Sequence, residues 1–218
     1  MKNVKILIPA RRNSKGLPLK NRKLFNETIS KIPKEYLDKV ILSTDDEFLI
    51  EIGKEMGLNV SIRPDYLSVD ETSTKEVLEY HINKGEINIC DTIIMLYLTY
   101  PERSWLEVEK AYELFNIKKL RSLLCKKSLT GTHPYLFMID SGDGKGEQLV
   151  KHNLYRRQDY PKVFEISHYI GIFNAIYINK LNNNLYNENT YFYEIGDVID
   201  VDTKEDLDGL FRKKKKIK

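Results

Sequence analysis

The stretch that most constrains this chain is its start, Val4 to Asn21, VKILIPARRNSKGLPLKN. An apolar run of strand length and β-branched content, Val4 to Ile8, stops at Pro9-Ala10. A basic loop follows at once, with Arg11, Arg12, Lys15 and Lys20 around Gly16. In an α/β protein, ligands bind at the C-terminal edge of the strands. Fixed cations there, with backbone N–H groups lining a turn, suit a polyphosphate. An ordinary solvated basic turn fits the same residues. The GxxxxGK[ST] spacing of a P-loop and the GxGxxG dinucleotide fingerprint are both absent. Phosphate would therefore be held by side chains as much as by backbone.

The rest of the pattern predicts an α/β fold. Val40–Ser43, Leu58–Ile62 and the almost unbroken apolar run Asp91–Thr99 read as strands, the last buried on both faces. Helices are expected at Glu47–Met56, from Thr72 or Ser73 to Lys84, and at Trp105–Phe115, each behind a capping residue. Strand and helix alternate four times before residue 116, which argues a mostly parallel sheet with helices on both faces. Residues 126–180 change character around the turn Asp140–Gly146 and suggest an antiparallel arm. Glu194–Asp202 reads as a late strand and Lys204–Phe211 as the last helix. The expected organisation is one domain over 1–211 and a flexible basic tail, 212–218.

That tail carries more positive charge than the chain's net +3, so the remainder is near neutral or slightly acidic. Basic tails can meet nucleic acid or anionic lipid, but aromatic–basic interleaving of a known kind is missing. No run approaches the length of a membrane span, and no signal peptide is seen. A cytoplasmic protein without nucleic-acid or membrane partners is expected, with Cys90 and Cys125 as buried thiols. His81, His133, His152 and His168 lack metal-ligand spacing.

Three further constellations could carry chemistry. Asp200 and Asp202, at i and i+2 on a strand, would share a face. Two carboxylates there repel unless a cation intervenes, and Mg²⁺ is the natural one; a helix-entry cap is the alternative. Asp45-Asp46, after the second strand, could cap a helix and hydrogen-bond a ligand. Arg156-Arg157-Gln158 could hold a carboxylate bidentately or be a surface charge run.

Taken together, the motifs resemble the acylneuraminate cytidylyltransferases, the enzymes that activate acidic sugars, including the legionaminate and pseudaminate branches. The resemblance rests on Ile8-Pro9-Ala10-Arg11, Ser14-Lys15-Gly16, Lys20-Asn21, Ser43-Thr44-Asp45-Asp46-Glu47, Arg63-Pro64, Arg156-Arg157-Gln158-Asp159, Ala175–Ile178 and Asp200-Val201-Asp202-Thr203. It implies a Rossmann-like nucleotidyltransferase fold and transfer of CMP from CTP to an anionic small-molecule acceptor. It implies that Arg11, Lys15 and Lys20 hold the triphosphate, with Ala10, Ser14, Asn21, Thr44 and Asp45 around the nucleotide. Asp200 and Asp202 would hold Mg²⁺, with Asp202 also a base through water. The arm would exchange within a homodimer. The acceptor side departs from the family. Its usual Gln-Pro-Thr-Ser-Pro-x-Arg is here Tyr97–Arg103, placing Tyr97, Tyr100 and Arg103 at acceptor positions. Phe173-Asn174 replaces Asn-Gly. With Arg156, Arg157, Gln158 and His168, Asn174 completes the expected acceptor set. A changed acceptor follows, either an acidic sugar or a phosphorylated or phosphonate metabolite; a catalytically silent nucleotide-binding homologue is the other reading.

Overall fold

The computed structural model describes residues 1, 3–13, 16–129 and 131–216, with side chains through residue 212. Ser14 and Lys15 lie outside the described residues. In chain order the elements are β1 (Val4–Pro9), α1 (Lys20–Ile29), β2 (Val40–Thr44), α2 (Glu47–Glu55), β3 (Asn59–Ile62), α3 (Thr74–Asn83) and β4 (Thr92–Met95). Then come α4 (Trp105–Ile117), β5 (Ser122–Ser128), β6 (Met138–Gly142), β7 (Lys145–Gln148), β8 (Phe164–Asn174), β9 (Tyr191–Glu194) and α5 (Lys204–Lys216).

Seven strands form one sheet in the order β3-β2-β1-β4-β8-β5-β9. The ladders of β1 with β2 and β4, of β2 with β3 and of β5 with β9 are parallel. Strand β8 runs antiparallel between β4 and β5. From β1 the chain runs outward through β2 to β3 on one side, then crosses back through α3 to β4 on the other side of β1, so the strand order reverses and a crevice opens at the C-terminal ends of β1 and β4.

Alternate strand residues serve opposite faces. Ile6, Ile8 and Leu42 pack with Leu24 and Phe25 of α1, Leu49 of α2, Val108 and Phe115 of α4, and Leu207 and Leu210 of α5. Leu7, Ile41, Ile93, Met95 and Phe173 pack with Leu78 of α3 and Ile178. Each fully buried Leu, Ile or Phe contributes about 1.5–3 kcal/mol of hydrophobic stabilisation. The expected helices on both faces are present.

Several boundaries differ from expectation. The proposed arm is narrower than 126–180, because β5 and β8 are strands of the main sheet; the segment between Ser128 and Phe164, with the β6–β7 hairpin, leaves it, while Ala175–Lys180 is a 3-10 helix that follows β8. The late strand ends at Glu194, and Asp200 and Asp202 lie in irregular backbone anchored where Val201 N–H donates to Thr99 O, 2.8 Å. The shared-face argument for the two aspartates therefore does not apply. Helix α5 continues to Lys216, into the segment expected to be a flexible tail. Cys125 is buried as expected, whereas Cys90 is exposed.

Candidate active site

The basic loop is tied down by its neighbours. Ala10 N–H donates to Ser43 O, 2.9 Å, and Thr44 Oγ1 donates to Ala10 O, 2.5 Å. Arg12 N–H donates to Asp45 Oδ1, 2.7 Å. Asp46 caps α2 by accepting from Phe48 N–H, 3.0 Å, and pairs with Arg22. Ala10 and Thr44 are wholly buried, so they shape the loop while their side chains stay away from the cavity. The Asp45-Asp46 pair thus splits into a loop clamp and a helix cap.

Helix α1 turns out of this loop through Leu19, whose left-handed φ of 55° swings the chain round. Lys20 and Asn21 are its first residues. Asn21 Nδ2 donates to Arg11 O, 2.8 Å, and locks the loop to the helix. The first N–H of α1, that of Lys20, donates to Leu17 O at 3.1 Å, and the positive end of the helix dipole lies beside Lys20.

The late acidic segment meets this corner. Lys20 Nζ donates to Asp202 Oδ1, 2.6 Å, with the lysine side chain largely covered and the aspartate open. Gly16 packs so closely on Asp202 that an added Cβ would lie 2.7 Å from its carbonyl oxygen. Asp206 accepts from the N–H groups of Asp202 and Thr203, fixing the turn into α5. Asp200 Oδ1 is shielded from solvent and has no hydrogen-bond partner.

A cavity of about 260 Å³ opens here, lined by Pro9, Arg11, Lys20, Asn21, Arg63, Val69, Asp70, Thr72, Thr74, Val77, Tyr97 and Thr99. Arg11 pairs with Asp70, 2.5 Å. Arg63, just past β3, is nearly buried and donates to Ser43 Oγ and Ser43 O. Burial pushes its pKa down to about 10, against the raising charge of Asp45, so it stays cationic at neutral pH. Three cations therefore face one crevice. Arg63, Thr72 and Thr74 are cavity residues that the motif reading left unassigned. The signal was available for Arg63, a cation at a strand's C-terminal end like Arg11.

The acceptor set divides. Tyr97 lines the cavity, and its ring meets His168 edge-on at 5.7 Å. Tyr100 is buried against Tyr169, with its hydroxyl near Ser167, and does not line the cavity. Arg103 is a correction: its buried guanidinium donates to Tyr169 O, 2.6 Å, and Tyr97 O, 3.0 Å, so it braces backbone instead of facing a ligand. Asn174 is another. It pairs in register with Thr92, at the start of β4 and hence the far end of the sheet, and bonds Leu120 O and Thr92 Oγ1. Phe173 beside it is core. Arg156, Arg157 and Gln158 are exposed on the excursion between β5 and β8, away from the cavity lining of their own chain, and Arg156 pairs with Asp159 at 2.8 Å.

Among the described residues, no group of three or more His, Cys, Asp or Glu is arranged to hold a metal. Asp200 and Asp202 still fit a cation that completes its shell with ligand phosphates: hard oxygens, one of them buried and unmatched. Mg²⁺ is ordinarily held by one or two carboxylates with phosphates and water. No described helix is long and apolar enough to cross a membrane.

Comparison with known proteins agrees with this geometry. Residues 5–195 match a family model described as cytidylyltransferase. The chain is 29% identical over 214 residues to an N-acylneuraminate cytidylyltransferase of Streptococcus agalactiae, a match covering 92% of this chain and 51% of that protein. It thus spans about half the length of that relative. It is 28% identical over 174 residues to a pseudaminic acid cytidylyltransferase of Campylobacter jejuni, covering 75% of each. A CMP:2-keto-3-deoxy-manno-octonic acid synthetase solved with CTP shares the fold over the full length of both chains, with a TM-score of 0.69 at 15% identity. Because the cytidylyltransferase model matches residues 5–195, most of its length, the chain belongs to the cytidylyltransferase family.

Proposed function

We propose that this chain is a Mg²⁺-dependent cytidylyltransferase that transfers CMP from CTP to an acidic sugar and releases pyrophosphate. The observation that carries the reading is the contact of Lys20 with Asp202 beneath the start of α1, which joins the basic loop and the late acidic segment in one crevice. An acceptor oxygen attacks the α-phosphorus, the bond to the bridging oxygen breaks, and pyrophosphate departs. Arg11, Lys20 and the positive end of α1 hold the triphosphate and stabilise the charge that grows on its oxygens. Lys15, from the same loop, belongs to this set by its sequence position. Asp200 and Asp202 would hold the metal ion, which when bound neutralises part of the triphosphate charge. The reading is of a cytoplasmic enzyme working on soluble substrates.

The test is pyrophosphate release with CTP, UTP, ATP or GTP, with and without Mg²⁺, against N-acetylneuraminate, pseudaminate and a panel of phosphorylated and phosphonate acceptors. Turnover confined to CTP, Mg²⁺ and an acidic sugar is expected. Turnover only with a phosphonate or phosphate ester would replace the acceptor, and CTP binding with no turnover would leave a silent homologue.

A further inference from the structure

Two cations of the crevice are each held by a carboxylate from a distant segment. Lys20 meets Asp202, which the reading above gives to the metal ion. Arg11 meets Asp70, Nη2 to Oδ1 at 2.5 Å, and Asp70 has no such task. Both partners line the cavity, with Lys20 and Arg63. A carboxylate facing a polyanion site opposes the ligand that the neighbouring cations attract. The two side chains are 27% and 30% exposed, and an ion pair so open to water adds little to stability. Its charge therefore matters more to what enters the crevice than to the fold.

The backbones behind the two side chains are fixed. Asn21 holds the carbonyl of Arg11, and Ala10 before it is tied to β2. Asp70 sits in a turn closed by Thr72, whose N–H donates to Val69 O at 3.4 Å and whose Oγ1 donates to Tyr66 O at 3.3 Å. Ser68 Oγ donates to Pro64 O at 3.2 Å on the near side of the turn, and the capping box of Ser73 and Glu76 follows it. Between such anchors the contact opens by rotation of the arginine side chain alone. Phosphate and carboxylate oxygens compete for the same guanidinium fork.

We infer that Asp70 is a positioning residue that competes with phosphate for Arg11: a triphosphate displaces it on entry, and it reclaims the guanidinium as pyrophosphate leaves. This rests on the transferase reading above. Every anion that takes Arg11 from Asp70 meets the same penalty. A triphosphate, with several anionic groups to place, offsets it at Lys20 and at the positive end of α1. Inorganic phosphate has one group to place and is kept off the site. Pyrophosphate, once severed from the nucleotide, no longer shares in the binding of the CMP portion and meets the returning carboxylate.

The test is calorimetric titration of the full chain with inorganic pyrophosphate and Mg²⁺. Asp70→Asn removes the charge and keeps the shape; Asp70→Ser does the same with a shorter side chain, should the amide disturb the turn. Each should tighten the pyrophosphate Kd about fivefold, the scale of one partly exposed ion pair. Product inhibition by pyrophosphate should strengthen by the same factor. In an Arg11→Met background the gain from Asp70→Asn should vanish, because the competitor then has nothing to compete for. Glu71→Gln, which removes a neighbouring exposed charge outside the cavity lining, should change nothing. An unchanged or weaker Kd in both Asp70 variants, an equal gain in Glu71→Gln, or an equal gain in the Arg11→Met background would each overturn the assignment. These titrations need no turnover. The fivefold gain in a protein that turns over no acceptor would overturn the transferase reading alone, whereas turnover without the gain would overturn the competition alone.

Discussion

Lys20 is positioned by two distant parts of the chain, the loop after β1 and the turn before α5, and its ammonium is already charge-paired where a triphosphate would sit. Lys20→Met should lower kcat/KM for CTP by about 10²–10³-fold, the scale of losing one fixed donor to developing charge. Far-UV circular dichroism should be unchanged, because the residue is at a helix end and contributes little to the core. Arg103 is the contrasting case. Its planar fork bridges two carbonyls inside the core, and burial lowers its pKa to about 10, still far above neutrality. Arg103→Met leaves both carbonyls bare and should cost about 2–4 kcal/mol in urea unfolding. An activity loss without a stability loss would contradict this role. Of the residues singled out in the sequence, Arg11, Lys20 and Tyr97 line the cavity, legible as cations of the first loop and as a departure from motif after the central strand, whereas Asp200 and Asp202 lie beyond its lining. Sequence reading misplaced Arg103 and Asn174 for one reason: a motif position says nothing about whether a side chain turns to ligand or to backbone.

At the scale of elements, the strands and capped helices were legible where patterning and end signals agreed. Ser73 and Ser104 both form capping boxes, as the sequence before α3 and α4 suggests. Helix α1 was not legible, because its N-cap is a left-handed Leu19 with no side-chain cap and no acidic first turn. Strand β8 was assigned to the arm because antiparallel pairing in the middle of a parallel sheet leaves no local mark. Helix α3 also carries a buried titratable group. His81 Nδ1 meets Glu86 Oε2 at 2.6 Å while Nε2 has no partner. Burial lowers the His81 pKa, against the opposing hydrogen bond and charge of Glu86 and with smaller lowering contributions from Arg63 and Lys84. A histidine with a folded pKa below its unfolded value takes up its proton first in the unfolded chain. Stability should therefore fall as pH drops below the ordinary value of 6.5, by at most about 1.4 kcal/mol per pH unit, until the lowered folded pKa is reached. The Glu86 carboxyl is also held below its ordinary 4.5: hydrogen bonds from Lys84, His81 and Ser61 outweigh the larger single effect of burial, which raises it. Its contribution is lost only at lower pH. Urea midpoints at about pH 7.5 and about pH 5.5 should differ less in His81→Gln than in the unsubstituted protein; an equal difference would place the titration elsewhere.

For the whole molecule, the excursion between β5 and β8 poses a problem that one chain does not solve. Leu136, Phe137, Met138, Ile139, Leu149, Leu154 and Tyr155 are all exposed there, Tyr155 at 87%. Yet the segment is internally built: His133, Tyr135, His152 and Tyr160 pack ring on ring, with Tyr135 and His152 stacked at 4.2 Å. A preformed platform with an apolar surface suits a second copy of the same surface. A homodimer is proposed on this basis, with Arg157 and Gln158 carried toward the partner's cavity. Sedimentation should show a dimer at micromolar concentration, and Met138→Lys combined with Ile139→Glu should yield monomers. Complementation separates packing from catalysis. A Lys20→Met protomer keeps its excursion but loses its own crevice, whereas an Arg157→Ala protomer keeps its crevice but offers a defective excursion. If each site draws on both chains, a heterodimer of the two has one site with neither substitution and one with both. Equal mixing and random reassociation make half of the dimers heterodimers, so about one quarter of the unsubstituted activity should return. Activity equal to the average of the two variants alone would mean that the excursion serves assembly and contributes nothing to the partner's chemistry.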